Sequence, residues 1–158
     1  MTESRVEEIL NRDSIRSMRI DPAPTFPPTA SLREVIAAMQ KAHAAAAVVS
    51  ENGRVTGIFT ERDILYRIVG LALNEEAPIG EVMTRDPKTL TPEDRIADAI
   101  RLMTDRGYRN IPLVDAAGRP VGMISARGIM EFIARHYPRE VLNLPPDLDK
   151  IPQQRDGA

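Results

Sequence analysis

One motif occurs twice in this chain of 158 residues. Residues 57–63 read Gly-Ile-Phe-Thr-Glu-Arg-Asp and residues 122–128 read Gly-Met-Ile-Ser-Ala-Arg-Gly. The two copies lie 65 residues apart, since 122 minus 57 is 65. Self-similarity at a fixed period indicates that one structural unit has been duplicated. We therefore predict two repeats of the same fold, which differ at the last position of the motif.

The repetition extends upstream of this motif. The pattern Met-x-x-Asp-Pro occurs at residues 18–22 and returns at residues 83–87, with the same offset of 65. We therefore assign residues 14–70 to the first repeat and residues 79–137 to the second. The rest of the chain divides into an N-terminal helical extension at 1–13, a linker at 71–78 and an irregular C-terminal tail at 138–158.

The hydrophobic pattern of each repeat predicts the order strand, helix, strand, turn, strand, helix. The first repeat is expected to form a hairpin from strands at 45–50 and 55–60, and the second from strands at 111–114 and 121–125. Each pair is joined by a glycine-containing turn, as in many β-hairpins. The predicted fold class is therefore α/β, of the α+β type.

Each repeat is expected to carry a long helix between its strands and a second helix at its end. The long helix would begin near Pro28 and Thr29 in the first repeat. In the second repeat it would begin at Thr91, with the threonine as N-cap and Pro92 in the first turn. The final helices should face the core with Ile64, Leu65, Ile68 and Val69 in one repeat and Ile129, Met130 and Ile133 in the other.

The composition argues against several classes of partner. Apolar residues make up 42% of the chain and charged residues 28%, which is typical of a compact globular domain. A net charge of −2 and the lack of tryptophan give neither a basic field nor many stacking surfaces, so we expect no nucleic-acid partner. No stretch approaches the roughly 20 apolar residues that span a bilayer, so we expect no membrane insertion.

The chain contains no cysteine and two histidines. Disulfides and thiolate metal sites are therefore excluded, and a cytoplasmic location is expected. His43 and His136 each stand at the end of a predicted helix, where the helix dipole favours a cation. We predict no metal site. No nucleophile or glycine-rich phosphate loop accompanies the acidic residues, so we expect no enzymatic activity.

The duplicated pattern resembles the tandem cystathionine-β-synthase (CBS) domains known as a Bateman module. The resemblance rests on the Met-x-x-Asp-Pro opening, the apolar hairpin and the Gly-x-x-Thr/Ser motif, and it covers about residues 14–137. It implies two βαββα repeats packed about a pseudo-twofold axis with two clefts between them. It also implies an adenine-containing ligand, such as AMP, ADP, ATP or S-adenosylmethionine, as a regulatory ligand rather than an obligatory cofactor.

The chemistry of the motif agrees with such a ligand. Where a strand yields to a helix, free backbone N–H groups favour an anion, and the Thr60 hydroxyl can bond a phosphate oxygen. By resemblance to the family, the Asp63 carboxylate would accept hydrogen bonds from the ribose hydroxyls. The same four residues, 60–63, also fit the Ser/Thr-x-x-acid capping pattern, so a purely structural role is an open alternative.

The second repeat departs from this pattern because Gly128 stands where Asp63 stands in the first. We therefore expect unequal sites, with the sugar held at Asp63 and the phosphate reached by Thr60, by Arg62 and by either Arg109 or Arg127 of the other repeat. The candidate nucleotide-binding residues are Gly57, Thr60, Arg62, Asp63, Thr84, Lys88, Thr89, Tyr108, Arg109, Asn110, Pro112, Ser125 and Arg127.

Two functions are consistent with these features. The first is a non-catalytic sensor module that binds an adenine nucleotide and passes the signal to an unknown target protein. The second is a structural or interaction protein that keeps the fold without effective nucleotide binding. The family resemblance also implies a homodimer formed through helices.

Overall fold

The computed structural model describes residues 5–70 and 72–136. The predicted C-terminal tail lies outside the described residues. The elements that precede and form the first repeat are α1 (Arg5–Arg12), a 3-10 turn (Ile15–Ser17), β1 (Thr25–Phe26), α2 (Leu32–Ala42), β2 (Ala46–Glu51), β3 (Arg54–Thr60), α3 (Glu61–Asp63) and a π-helical segment (Ile64–Val69). The elements that follow are a 3-10 turn (Ile79–Glu81), β4 (Thr84–Arg85), α4 (Ile96–Arg106), β5 (Asn110–Val114), β6 (Pro120–Ser125) and α5 (Ala126–His136).

The strands form two sheets, one centred on each predicted hairpin. The first sheet has the order β1-β2-β3-β4, and the second consists of β5 and β6. Both hairpins are antiparallel, with Val48 opposite Ile58 in the first and Leu113 opposite Gly122 in the second. The mixed α/β fold expected from the sequence is therefore confirmed.

The strand predicted to open each repeat is present as β1 in the first repeat but shortened to a single bridge in the second. In the first repeat Thr25 pairs in parallel with Val48. The residues 65 positions later, Leu90 and Leu113, form only an isolated parallel bridge. The register of the two repeats is therefore the same, although the second repeat has a single bridge in place of a strand.

The residues that open each repeat cross over to the other repeat. We call residues 14–22 the first lead-in segment and residues 79–87 the second lead-in segment. Strand β4, within the second lead-in segment, pairs antiparallel with β3 of the first repeat. In the reciprocal contact, Asp21 of the first lead-in segment bridges to Met123 on β6. This exchange relates the repeats by a pseudo-twofold axis.

The cores show the same exchange. Ile15, from the first lead-in segment, is fully buried in the core of the second repeat together with Ile96 and Ile111. Ile79, from the second lead-in segment, is fully buried in the core of the first repeat. Each repeat is therefore completed by residues that belong, in sequence, to the other.

The two hairpins also meet directly. A small cluster in which Val48 and Ile58 of one hairpin pack against Met123 of the other joins the two sheets. At the turns, the backbone N–H of Val55 donates to the carbonyl of Gly118 at 3.1 Å. The sheets therefore share an apolar contact along the pseudo-twofold axis.

The predicted starts of the long helices are wrong. Helix α2 begins at Leu32, with the Ser31 side chain accepting from the Glu34 N–H at 3.2 Å, and α4 begins at Ile96. The expected cap at Thr91 instead closes a turn, because its N–H donates to the Asp94 carboxylate at 2.6 Å.

The predicted first turn of α4 does not form, because its carbonyl groups accept hydrogen bonds from the first lead-in segment instead. The carbonyl of Pro92 accepts from the Arg16 N–H, and the carbonyl of Asp94 accepts from the Ile15 N–H, both at 2.8 Å. These carbonyls are thereby committed to the first lead-in segment. The capping pattern alone could not show this competing partner.

The final helices differ from each other and from the prediction. In the first repeat α3 continues as a π-helical segment, marked by the Gly70 N–H donating to the Leu65 carbonyl at 3.3 Å. Leu65 is 60% exposed, Val69 is 70% exposed and Met130 on α5 is 69% exposed. These three side chains were expected to face the core, and that expectation is wrong.

Candidate functional site

The Thr60 and Asp63 side chains bind each other where β3 yields to α3. The backbone N–H of Thr60 donates to Asp63 Oδ2 at 2.9 Å, and the Thr60 hydroxyl donates to the same oxygen at 3.0 Å. In return, the Asp63 N–H donates to Thr60 Oγ1 at 3.4 Å. The capping role of this motif is therefore present in the structure. A cap does not exclude a ligand, because a carboxylate has about four lone-pair positions.

Arg67 binds the other oxygen of the same carboxylate. Its Nε lies 3.4 Å from Asp63 Oδ1, and the two side chains are 40% and 13% exposed. The Nη1 group of Arg67 also donates to the carbonyl of Val82 and, at 3.5 Å, to that of Met83. Arg67 therefore ties the end of the first repeat to the second lead-in segment. Sequence reasoning missed this residue, although Asp63 and Arg67 have the i,i+4 spacing of a helical ion pair.

Two further predicted residues lie on the adjacent strands. Gly57 on β3 is opposite Arg85, and Ile58 is opposite Thr84, which is exposed. A Cβ at position 57 would lie 2.2 Å from Met83 Sδ. The glycine therefore leaves room for the Met83 side chain over β3, and that side chain would have to move to admit a larger residue, whatever the role of Gly57 toward a ligand.

The second repeat has a simpler arrangement at the equivalent turn. Ser125 ends β6 opposite Asn110, and the Gly128 N–H donates to the Ser125 hydroxyl at 3.0 Å. Arg127 pairs with Glu131 at 3.0 Å on the outside of α5, where the arginine side chain is 88% exposed. No carboxylate occupies the place that Asp63 holds in the first repeat.

The remaining predicted residues differ in exposure. Tyr108 and Arg109 are exposed, and the Arg109 carbonyl accepts the Ala126 N–H at 2.9 Å. Pro112 is fully buried in β5. The other positions are exposed or half-buried: Arg62, Lys88, Thr89 and Asn110. Among the described residues, no hydrogen bond or ion pair joins the predicted set of the first repeat to that of the second.

A shallow, solvent-open cleft of about 60 Å³ lies between the first lead-in segment and helix α5. Arg19 and Asp21 line one side, and Gly128, Phe132 and Arg135 line the other. Phe132 stands 65 positions after Arg67, and Gly128 stands 65 positions after Asp63. The two turns therefore differ in more than one residue: an acid and an arginine at the first correspond to a glycine and a phenylalanine at the second.

The two histidines end helices, as predicted. His43 caps α2 in a left-handed conformation with φ of 50°, and His136 is the last residue of α5, with Nδ1 2.9 Å from the Phe132 carbonyl. Within residues 5–70 and 72–136, no three His, Asp or Glu side chains are grouped so that they could hold a metal ion. None of the helices in these ranges has the length and apolar character needed to cross a bilayer.

A comparison with protein families gives two matches along the chain. The model of the CBS domain matches residues 6–70 and again residues 79–135. The mitochondrial CBS domain-containing protein CBSX3 of Arabidopsis thaliana is 30% identical over 117 residues, which cover 70% of this chain and 56% of that protein. The chain spans about half the length of the curated relatives that it matches.

Solved structures share this fold over almost their whole length. The CBS domain protein PAE2072 from Pyrobaculum aerophilum, in complex with AMP, is 26% identical with a TM-score of 0.69, and the match covers 78% of this chain and 99% of that one. The CBS domain pair of protein MJ0100, in complex with 5′-methylthioadenosine and S-adenosyl-L-methionine, is 22% identical with a TM-score of 0.69 and coverage of 78% and 98%. At that identity the second likeness shows the fold alone.

Proposed function

The chain belongs to the CBS domain family, with two copies of the domain, and on that premise we propose that it is a non-catalytic regulatory module that binds an adenine-containing nucleotide. The observation that carries this proposal is the pairing of Thr60 with Asp63 at the strand-to-helix turn, beside the second lead-in segment. The Thr60 hydroxyl has one donor hydrogen, so on ligand binding it would turn from Asp63 to a phosphate, which would leave the carboxylate to accept from a ribose.

The AMP complex of PAE2072 supports the class of ligand, because that protein shares both the fold and 26% of its sequence with this chain. In the proposed mode Asp63 accepts from the ribose hydroxyls, while Thr60 and Arg62 face the phosphate. Arg109 or Arg127 contributes from the other repeat, since both are exposed arginines near the equivalent turn. The other predicted residues that are exposed or half-buried would line the approach to these groups, whereas the fully buried Pro112 would only support them.

Which adenine ligand is bound belongs to the same proposal. AMP, ADP, ATP and S-adenosylmethionine all carry the adenosine moiety that Asp63 would hold. They differ in charge: the three nucleotides carry phosphate groups with a net negative charge, whereas S-adenosylmethionine carries a cationic sulfonium and an ammonium beside a single carboxylate. We therefore propose that the chain binds the nucleotides more tightly than S-adenosylmethionine.

The signal would pass through association with other chains. We propose a homodimer, supported by the exposure of Leu65 and Met130 on the final helices of the two repeats. Leu65 is accompanied by the exposed Tyr66 and Val69, and a contiguous exposed apolar patch is typical of an interface between proteins. The existence of a target protein and the cytoplasmic location remain predictions.

Titration calorimetry with AMP, ADP, ATP and S-adenosylmethionine tests the proposed site. Asp63→Asn keeps the shape of the side chain and removes its charge, so we expect it to weaken AMP binding by about ten-fold or more, the loss of one charge-assisted hydrogen bond. Asp105→Asn, an exposed position on α4, is the matched control and should bind as the unaltered chain does. Equal affinity in both variants would remove Asp63 from the site.

A second function is favoured by a specific observation. Both oxygens of the Asp63 carboxylate already have partners within the chain, in Thr60 and Arg67, and Gly128 offers no side chain at all. A structural or interaction protein without effective nucleotide binding would have these features. A thermal-shift panel separates the two functions, since a ligand at 100 times its dissociation constant stabilises the native state by about 2.7 kcal/mol.

A further inference from the structure

Arg67 lies where a ligand of the proposed site would have to make contact. One oxygen of Asp63, Oδ2, receives both hydrogen bonds of the Thr60 cap. The other oxygen, Oδ1, faces Arg67 Nε at 3.4 Å. A pair of ribose hydroxyls needs acceptor positions on this carboxylate, and the oxygen not used by the cap is the one that Arg67 covers.

The position of Arg67 is fixed from a second side. Its Nη1 donates to the carbonyls of Val82 and Met83, which immediately precede the predicted site residue Thr84. The guanidinium therefore extends from the carboxylate on the first repeat to the backbone of the second lead-in segment. A planar guanidinium with five donors can make such a bridge, whereas a lysine ammonium has no comparable fork.

The second repeat shows what this part of the fold looks like without the bridge. Phe132 replaces Arg67 and Gly128 replaces Asp63, and a shallow, solvent-open cleft of about 60 Å³ lies between α5 and the first lead-in segment. The two turns therefore differ in these two side chains and in the helix that follows, which is π-helical in the first repeat and α-helical in the second.

We propose that Arg67 is an internal competitor for Asp63, which an adenine ligand must displace before the carboxylate can hold a ribose. The inference rests on the proposed nucleotide-binding function and assigns to Arg67 the control of affinity at that site. It makes Arg67 a residue that weakens binding in the unaltered chain, unlike Asp63 and Thr60, which strengthen it.

Adenosine is the appropriate probe for this competition. It carries the ribose that Asp63 would hold and has no charge, so removing the positive charge of Arg67 cannot weaken its binding through lost attraction to a phosphate. We expect Arg67→Met to raise the affinity for adenosine about five-fold, which corresponds to releasing an ion pair of about 1 kcal/mol. Arg67→Phe, which copies the residue of the second repeat, should act in the same direction.

Arg106→Met is the matched control, because it removes one exposed arginine at the end of α4 and changes the net charge equally. Circular dichroism and thermal melting establish that each variant is folded. Tighter adenosine binding in both Arg67 variants and unchanged binding in Arg106→Met would support the competition.

The titrations include AMP, so that failure of the Arg67 competition can be distinguished from failure of the proposed nucleotide site. If the unaltered chain binds AMP and neither Arg67 variant binds adenosine more tightly, the competition is overturned and the nucleotide site stands. If no variant binds adenosine or AMP, both are overturned. A gain of equal size in Arg106→Met also overturns the competition, because the gain would then be unrelated to Asp63.

Discussion

Leu65 and Met130 occupy equivalent positions in the two repeats, 65 residues apart, and their side chains are 60% and 69% exposed. Each follows the strand-to-helix turn of its repeat by five residues. Tyr66 and Val69, at 68% and 70% exposure, extend the apolar surface beside Leu65. Apolar side chains are commonly exposed one at a time, but a cluster on one short segment together with an equivalent position on the other repeat indicates a contact surface.

The first prediction concerns this surface. Leu65→Glu combined with Met130→Glu should convert the proposed homodimer into a monomer, because two charges would have to be desolvated in each half of the contact. Light scattering coupled to gel filtration measures the change in mass. Ala37→Glu, at an exposed position on α2, should leave the mass unchanged. A dimer that persists in the double variant would place the interface elsewhere.

The second prediction concerns Gly57. The substitution Gly57→Ala should destabilise the protein by about 1–3 kcal/mol, because the added methyl group would meet Met83 Sδ at 2.2 Å and force the side chain to move. Urea denaturation measures the loss. In a Met83→Ala background the same substitution should cost clearly less, since its obstacle is gone. An equal cost in both backgrounds would show that the side chain of Met83 is not the cause.

The third prediction concerns Ile15, which is fully buried although it lies between α1 and β1. Ile15→Ala should cost about 2–5 kcal/mol, as expected for a large side chain removed from a packed core. Gln40→Ala, at an exposed position on α2, should change stability by less than about 0.5 kcal/mol. A small effect of Ile15→Ala would mean that the first lead-in segment does not complete the second core.

The fourth prediction concerns Asp115 in the turn of the second hairpin. The Arg119 backbone N–H donates to its carboxylate at 3.0 Å, the Ala117 N–H at 2.9 Å and the Arg119 side chain at 2.8 Å. These contacts, led by the backbone N–H of Arg119, hold the pKa of Asp115 below its ordinary value. The folded state thus binds this proton less readily than the unfolded state does.

It follows that Asp115 stabilises the fold above about pH 4 and that this stabilisation is lost as the pH falls through the lowered pKa. Asp115→Asn should therefore reduce stability at pH 7 more than at pH 3, as measured by urea denaturation at both values. Asp105→Asn, at an exposed position on α4, is the comparison. A loss of the same size at both pH values would mean that the charge of Asp115 contributes nothing.

The sequence was sufficient to predict the duplication, both hairpins and the mixed fold. These features depend on apolar periodicity and on turn residues, which are local in the chain. The pairing of Thr60 with Asp63 could be predicted for the same reason, since a capping box is complete within four residues. Whether that pair also binds a nucleotide depends on contacts with the nucleotide itself, which the spacing of residues in the sequence cannot predict.

Some of the errors involve contacts between distant parts of the chain. Thr91 fits a helix cap, but the carbonyls that follow it are bound by the first lead-in segment, so α4 begins later. Leu65 and Met130 fit a core-facing stripe, but the side chains of these segments that pack against the cores are Ile64 and Ile68 in the first repeat and Ile129, Phe132 and Ile133 in the second. Arg67 could have been paired with Asp63 from the i,i+4 spacing, but its contacts with the carbonyls of Val82 and Met83 lie in the other repeat and could not be predicted from spacing.

The exchange of lead-in segments bears on how a chain of this kind could have originated. Half of this chain, folded alone, would lack the segment that completes its core, because Ile15 and Ile79 each serve the opposite half. Two copies of such a half could satisfy each other by trading those segments, as in a swapped dimer. Gene duplication and fusion would then place both halves in one polypeptide, after which the halves could diverge. Asp63 and Gly128 would be the outcome of such divergence, in which one ancestral position acquired two different chemistries.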